Sequence, residues 1–325
     1  MKLMKYFFAL LTATLVAGCG GSNDEPISTV SQAGATPAAG APLTLDKVAG
    51  TGGFNALLAA AAKADLGGAL ADPNARLTVL APTDDAFNRF AAQLGFASAS
   101  AMVEALPAAT LKSILTYHVL PERKQASDLR ATPVEPTLFA FEGNPSALAF
   151  DSSQSGVTIS DAAMTSAKVT ATDIAASNGV IHVIDKVLVP PGVLNLVQMA
   201  QVNPQLSSLV DAVVAADLQG VLSGPGPFTV FAPTNEAFSQ APAGLSKQQL
   251  ATVLTYHALD KQVLASQIPF GTPVKTLASQ TIAINAGNPP TISDTTAAAA
   301  RIVATDIRAS NGVAHVIDKV LIPAL

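Results

Sequence analysis

The stretch Ala171–Pro190 reads ATDIAASNGVIHVIDKVLVP, and Ala304–Pro323 reads ATDIRASNGVAHVIDKVLIP, identical at 17 of 20 positions. Two further blocks repeat in the same order. TVLAPTDDAF at Thr78–Phe87 returns as TVFAPTNEAF at Thr229–Phe238, and LTYHVL at Leu115–Leu120 returns as LTYHAL at Leu254–Leu259. The offset between copies falls from 151 to 139 to 133 residues. Three matched blocks in one order mean a duplicated unit, and its size makes each copy a domain, since solenoid repeats run to about 20–45 residues. The shrinking offset places extra residues of the first copy within Arg89–Pro107 and Thr137–Gly156. Both inserts are expected in surface loops, which tolerate added length. The copies meet at VLVPPGVLNLV, where Pro190, Pro191 and Gly192 leave almost no linker. Closely spaced domains of restricted relative orientation follow from so short a joint.

Each copy mixes helical and strand patterns. Phe54, Leu57, Leu58 and Ala61 fall at i, i+3, i+4 and i+7, as do Leu206, Leu209, Val210 and Val213, which predicts an apolar helical stripe in both. LTVLAP at Leu77–Pro82 predicts a short buried strand. Thr83 then stands where it can cap the next helix, with Asp84 and Asp85 in a first turn that favours negative charge; Thr234 and Glu236 repeat the arrangement. Ser246 and Gln249 have capping-box spacing. Downstream the pattern turns to β. Asn178-Gly179 and Asn311-Gly312 sit between strand-like runs, and that dipeptide predicts a tight hairpin through its tolerance of positive φ.

The N-terminus carries Lys2 and Lys5 before YFFALLTATLVAG, an apolar run too short to span a bilayer and laid out as a secretory signal over residues 1–18. It leads into Cys19, the single cysteine of the chain. Val16, Ala17 and Gly18 before that cysteine resemble a bacterial lipobox. The resemblance implies cleavage before Cys19, lipidation of its sulfur and acylation of the new amino terminus, since stable anchoring takes more than one acyl chain. Residues 19–41 are rich in Gly, Ser, Ala, Thr and Pro without apolar periodicity, so a flexible tether is expected there. Gly20, not Asp, follows the cysteine, which by the sorting habit of enteric-type lipoproteins favours an outer membrane where the organism has one. With no second cysteine the folded part has no disulfide framework, and its stability must come from apolar burial.

Composition excludes one class of partner. The 325 residues carry a formal charge of −5, the 18 Lys and Arg are scattered, and Trp is absent with only three Tyr. Nucleic acid needs clustered cations and stacking platforms, so it is not expected as a partner.

TVFAPTNEAF, a central Tyr-His and a terminal NGxxHVIDKVLxP, in this order and twice over, resemble the fasciclin-like domain. The likeness spans residues 42–190 as a first domain and 191–325 as a second. It implies an α+β fold of two tandem domains, each a twisted β-wedge packed with several helices. It further implies exported or surface-anchored proteins of adhesion and matrix contact, with a protein or matrix partner and no cofactor. In the family the Tyr-His pair, here Tyr117-His118 and Tyr256-His257, is linked to receptor contact. Asp84-Asp85 departs from the usual Asn-Glu, so no strict carboxylate geometry is implied at that position.

All four histidines are matched between copies, His118 with His257 and His182 with His315. Leu111, Ile114, Leu115 and His118 fall at i, i+3, i+4 and i+7, as do Leu250, Val253, Leu254 and His257. Each histidine thus continues an apolar stripe, which suits a hydrogen-bonded packing residue, with partner contact as the alternative. His182 and His315 suit the same structural role. Neither copy has the three or four convergent ligands, the HExxH pattern or the cysteines of a zinc site, so no metal is expected. Asp173 and Asp185 flank the Asn-Gly turn, as Asp306 and Asp318 do in the second copy. Such a pair suits either acid–base work or the satisfaction of backbone donors, with Lys186 as a neighbour. Ser177 near His182 lacks a nucleophile elbow, and no glycine-rich phosphate cradle is present. An enzyme is therefore not expected. The function that fits is a lipid-anchored envelope or surface protein that mediates adhesion, matrix or protein contacts. The alternative is carriage of an apolar small molecule such as a carotenoid or lipid, because the helices are alanine-rich and weakly charged.

Overall fold

The computed structural model describes residues 43–325 apart from 154, 155 and 243, so the signal segment, Cys19 and the tether lie outside the described residues. The first copy runs α1 (Leu45–Ala49), α2 (Asn55–Lys63), α3 (Gly67–Ala71), β1 (Leu77–Pro82), α4 (Asp84–Gln93), α5 (Ala99–Ala105) and α6 (Ala108–Tyr117). It continues β2 (Val119–Leu120), α7 (Ala126–Ala131), β3 (Val134–Phe141), β4 (Asn144–Ser153), β5 (Gly156–Ser160), β6 (Ser166–Ala176) and β7 (Gly179–Ile184). The second runs α8 (Leu196–Val202), α9 (Ser207–Ala215), α10 (Gln219–Leu222), β8 (Phe228–Pro233), α11 (Asn235–Ser239), α12 (Lys247–Tyr256) and β9 (Ala258–Leu259). It ends with β10 (Pro273–Lys275), β11 (Thr281–Asn285), β12 (Thr291–Ser293), β13 (Ala300–Ala309) and β14 (Gly312–Ile317).

Each copy builds one seven-stranded sheet, in the order β2-β1-β7-β6-β5-β4-β3 and β10-β11-β12-β13-β14-β8-β9. Read from the same end, the two orders are equivalent. In each, the strand of the TVxAP block pairs in parallel with the last strand, Leu80 opposite His182 and Phe231 opposite His315. All other pairings are antiparallel. The last strand is buried at every position, because helices cover one face and the curled sheet the other. A parallel strand enclosed on both faces needs the continuous apolar run that GVIHVI and GVAHVI supply.

Helix boundaries follow the expected chemistry. Thr83 and Thr234 accept hydrogen bonds from the amides of Ala86 and Ala237, and Ser246 with Gln249 forms its capping box. α6 and α12 stop at His118 and His257, whose backbone folds the chain directly into β2 and β9.

Two expectations need correction. The inserts of the first copy are regular structure, not loops. Arg89–Pro107 forms the end of α4 and all of α5, where the second copy has only the short α11, and residues 137–153 lengthen β3 and β4 relative to β10 and β11. The added residues carry their own apolar stripe, with Met102 and Val103 buried in the core, so they were free to become a helix. The hairpin turn is also displaced by one residue: Ala176 pairs with Gly179, which leaves Ser177 and Asn178 as the turn. Gly179 is the first strand residue. A Cβ there would lie 2.3 Å from the carbonyl oxygen of Leu77, and at Gly312 2.1 Å from that of Phe228. Close approach of the parallel neighbour demands glycine at both positions, and at Gly312 a φ of 156° adds to the demand.

One apolar cluster joins the two copies, with Leu45, Leu57 and Phe90 of the first and Val202, Leu209 and Val230 of the second among its members. Asn203, buried at the joint, donates from Nδ2 to the Ala163 carbonyl at 3.0 Å. Arg308 pairs with Glu142 and lies over the Phe141 ring, 5.2 Å from its centroid.

Candidate functional site

The repeated polar residues gather along the parallel strand pair and the helix ends that abut it. His118 is buried, and the amide of Leu188 donates to its Nε2 at 2.9 Å. Nε2 is therefore the unprotonated nitrogen, and Nδ1 donates to the Ile114 carbonyl at 2.7 Å. His257 repeats this with Leu321 at 2.8 Å and Val253 at 2.7 Å. Burial pushes both imidazoles down to about 4, against a smaller upward pull from those carbonyls. Tyr117 and Tyr256 are buried beside them, with hydroxyls donating to Ala147 and Thr281 carbonyls, and burial raises both phenols. All four side chains of the Tyr-His pairs are at most 2% exposed. The rings themselves are closed off from the surface.

His182 and His315 use the opposite tautomer. Amides of Asp173 and Asp306 donate to Nδ1 at 3.2 and 3.3 Å, while Nε2 donates to the carbonyls of Lys124 and Val263 at 2.9 Å each. Burial lowers the His315 imidazole, which also stacks on Phe231. Both ring nitrogens are engaged by backbone, whereas a general base needs a lone pair directed at its substrate. Asp173 and Asp306, at φ of 59° and 61° in the bulged strand, turn their carboxylates onto the amides of Ala126 and Ala265 at 2.9 Å. Asp185 and Asp318 accept from the amides of Lys168 and Arg301 at 2.7 Å. The acids thus serve separate backbone donors, and among the described residues Asp185 makes no ion pair with Lys186.

Asn178 does more than its turn position announced. Its side chain is fully buried; Oδ1 accepts from the Leu45 amide at 2.9 Å, and Nδ2 donates to the carbonyls of Leu70 at 2.9 Å and Asp72 at 2.8 Å. Asn311 repeats all three bonds with Leu196, Leu222 and Gly224. Each asparagine ties the hairpin to the entry of the first helix and the end of another. Thr78 and Thr229, unmarked in the sequence reading, are equally buried. Each bridges a carbonyl and an amide of the loop after the Tyr-His strand. Their repetition at offset 151 was the available signal.

The family model for the fasciclin domain matches residues 52–190 and again 204–323. The chain belongs to the fasciclin family. Among its relatives, Protein sll1483 of Synechocystis is 39% identical over 140 residues, covering 41% of this chain and 75% of that one. Human periostin is 35% identical over 154 residues, 46% of this chain but 18% of periostin. Rabbit transforming growth factor-beta-induced protein ig-h3 is 29% identical over 261 residues, 76% of this chain and 35% of the relative. A solved FAS1 domain pair from the insect cell adhesion molecule fasciclin I covers 86% of this chain and 95% of its own, at 18% identity and a TM-score of 0.40. Fasciclin domains are typical of adhesion and extracellular-matrix proteins.

Three concave features of the fasciclin pair lay beyond sequence reading. Narrow apolar cavities of ≈ 50 and ≈ 40 Å³ lie at matching places in the two domains. One is bounded by Leu57, Val79 and His118, the other by Leu209, Val230 and His257. Both are far below the about 150 Å³ that accepts benzene. The third is an open cleft of ≈ 540 Å³ at the domain joint, lined by Arg89, Lys186 and Gln205 among others. Among the described residues no group of three or more His, Cys, Asp or Glu is placed to hold a metal ion.

Proposed function

We propose that this chain is an exported, lipid-anchored envelope protein whose two fasciclin domains mediate adhesion, matrix or protein contacts, by binding rather than catalysis. The observation that carries it is the joining of LVAGC, a tether-like segment and two fasciclin domains in one chain. The anchor is Cys19, with the outer membrane as its destination where one exists. The engagement of every histidine by backbone supports binding over catalysis, because no imidazole is left to move a proton. The small volume of the apolar cavities weighs against the carrier alternative.

The test is a Cys19→Ala strain compared with a deletion strain. Loss of the protein from the membrane fraction together with reduced attachment and aggregation in both strains supports the proposal. Unchanged membrane association of Cys19→Ala overturns the anchor. Unchanged attachment in the deletion strain overturns the adhesive role.

A further inference from the structure

The cleft at the domain joint is lined by residues of both domains. Among its lining residues is Lys186, the equivalent of Lys319 at offset 133. In the second domain Lys319 is locked onto Asp294 at 2.5 Å. In the first, the equivalent Asp161 is already satisfied. It accepts from the amides of Ala163, Thr165 and Val189 and from the Thr165 hydroxyl, which reaches both carboxylate oxygens at 2.9 Å. Position 298 of the second domain, which corresponds to Thr165, is alanine. Thr165 thus stands where an ammonium would, and Lys186 turns into the cleft without an ion pair among the described residues. Burial lowers the Lys186 ammonium against the pull of Asp161 and Asp185, so a bound anion there offsets an existing cost.

Arg89 is the second cation. It donates from one guanidinium nitrogen to the Asp185 carbonyl at 2.6 Å, which orients the group at the cleft, and its other donors meet no acceptor among the described residues. Its second-domain equivalent, at offset 151, is Gln240. Gln93 on one wall and Gln205 on the other add neutral donors and acceptors, and Met164 adds an apolar surface. Asp161 and Asp185 balance Arg89 and Lys186 in formal charge, with Asp161 enclosed by Thr165 and backbone amides, so the cleft suits a monoanion better than a doubly charged phosphate. The volume of ≈ 540 Å³ falls in the range of about 300–1,000 Å³ usual for small-ligand sites.

We propose that the interdomain cleft binds a small hydroxylated carboxylate, the chemistry of a sugar acid, with Arg89 and Lys186 on the carboxylate and Gln93 and Gln205 on hydroxyls. A guanidinium fork beside an ammonium recognises carboxylate oxygens, and side-chain amides suit hydroxyls as donor and acceptor at once. Because walls come from both domains, the site exists only in the tandem arrangement. It stands independently of the adhesive role.

Calorimetric titration of the purified full chain tests this, with glucuronate as probe and glucose and inorganic phosphate as comparisons. Glucuronate binds saturably, and glucose does not. Arg89→Gln, which places the second domain's residue at an exposed position, and Lys186→Gln each weaken binding by about tenfold or more, the scale of one charge-assisted hydrogen bond. Lys247→Gln, exposed and remote, leaves it unchanged. Binding of glucose as tight as glucuronate, tighter binding of phosphate, no glucuronate binding, or equal affinity in Arg89→Gln each overturns the proposal. Arg89→Gln keeps the test decisive should Lys186→Gln unfold.

Discussion

Asn178 and His118 show how single side chains hold this fold. Asn178 satisfies one amide and two carbonyls that are otherwise closed off from water, and each lost partner costs about 1–3 kcal/mol when left buried. Asn178→Ala is expected to lower unfolding free energy by about 3 kcal/mol or more in urea titrations. Asn178→Asp fares no better, because it sets a carboxylate against the carbonyls of Leu70 and Asp72. His118 and His257 add a pH dependence. Their folded values of about 4 lie below the ordinary 6.5, so as pH falls the unfolded chain takes up protons first. The stability they contribute is complete above pH 6.5 and lost progressively towards pH 4, by up to about 3 kcal/mol per histidine. The melting temperature should therefore fall steeply between pH 6.5 and 4, and His118→Gln, which keeps a donor and an acceptor, should flatten that slope. The histidine role was legible because its stripe is local, spaced at i+3, i+4 and i+7. The three bonds of Asn178 were not, because their partners lie 106 to 133 residues away, and Asn-Gly signals a turn whatever the side chain does.

At the scale of elements, the parallel pair β1–β7 is the seam on which each domain closes. It joins residues about 100 apart, so no turn sets its register, and Gly179 opposite Leu77 supplies the constraint instead. Gly179→Ala places a methyl group 2.3 Å from a backbone oxygen, which cannot swing aside as a side chain would. It is expected to cost more than about 2 kcal/mol, with loss of amide protection along β7 in hydrogen exchange, and Gly312→Ala to do the same along β14. The capped helices, the apolar strands and the two-domain layout were all readable, since caps, periodicity and repeats are local or self-referential. Whether an insert becomes loop or helix was not. That outcome depends on whether core remains to receive Met102 and Val103, which only the packed structure answers.

For the whole molecule the joint determines behaviour. A chain of two independent domains unfolds in two steps, yet here one apolar cluster runs through both, and buried Asn203 reaches across it to Ala163. Opening the joint strands that carbonyl and exposes apolar surface from both domains, so each domain raises the cost of unfolding the other. The wild-type chain should therefore melt in one calorimetric transition whose van't Hoff enthalpy approaches the calorimetric value. Asn203→Ala combined with Phe141→Ala removes the buried bridge and the ring beneath Arg308. Two separated transitions are expected in that variant, with the secondary-structure spectrum unchanged at 25 °C. A wild-type chain already melting in two transitions would mean that the shared cluster does not couple the domains. The carboxylate cleft depends on the same closure, so loss of coupling and loss of glucuronate binding should appear together in the double variant, although neither substituted residue carries the charge that binds.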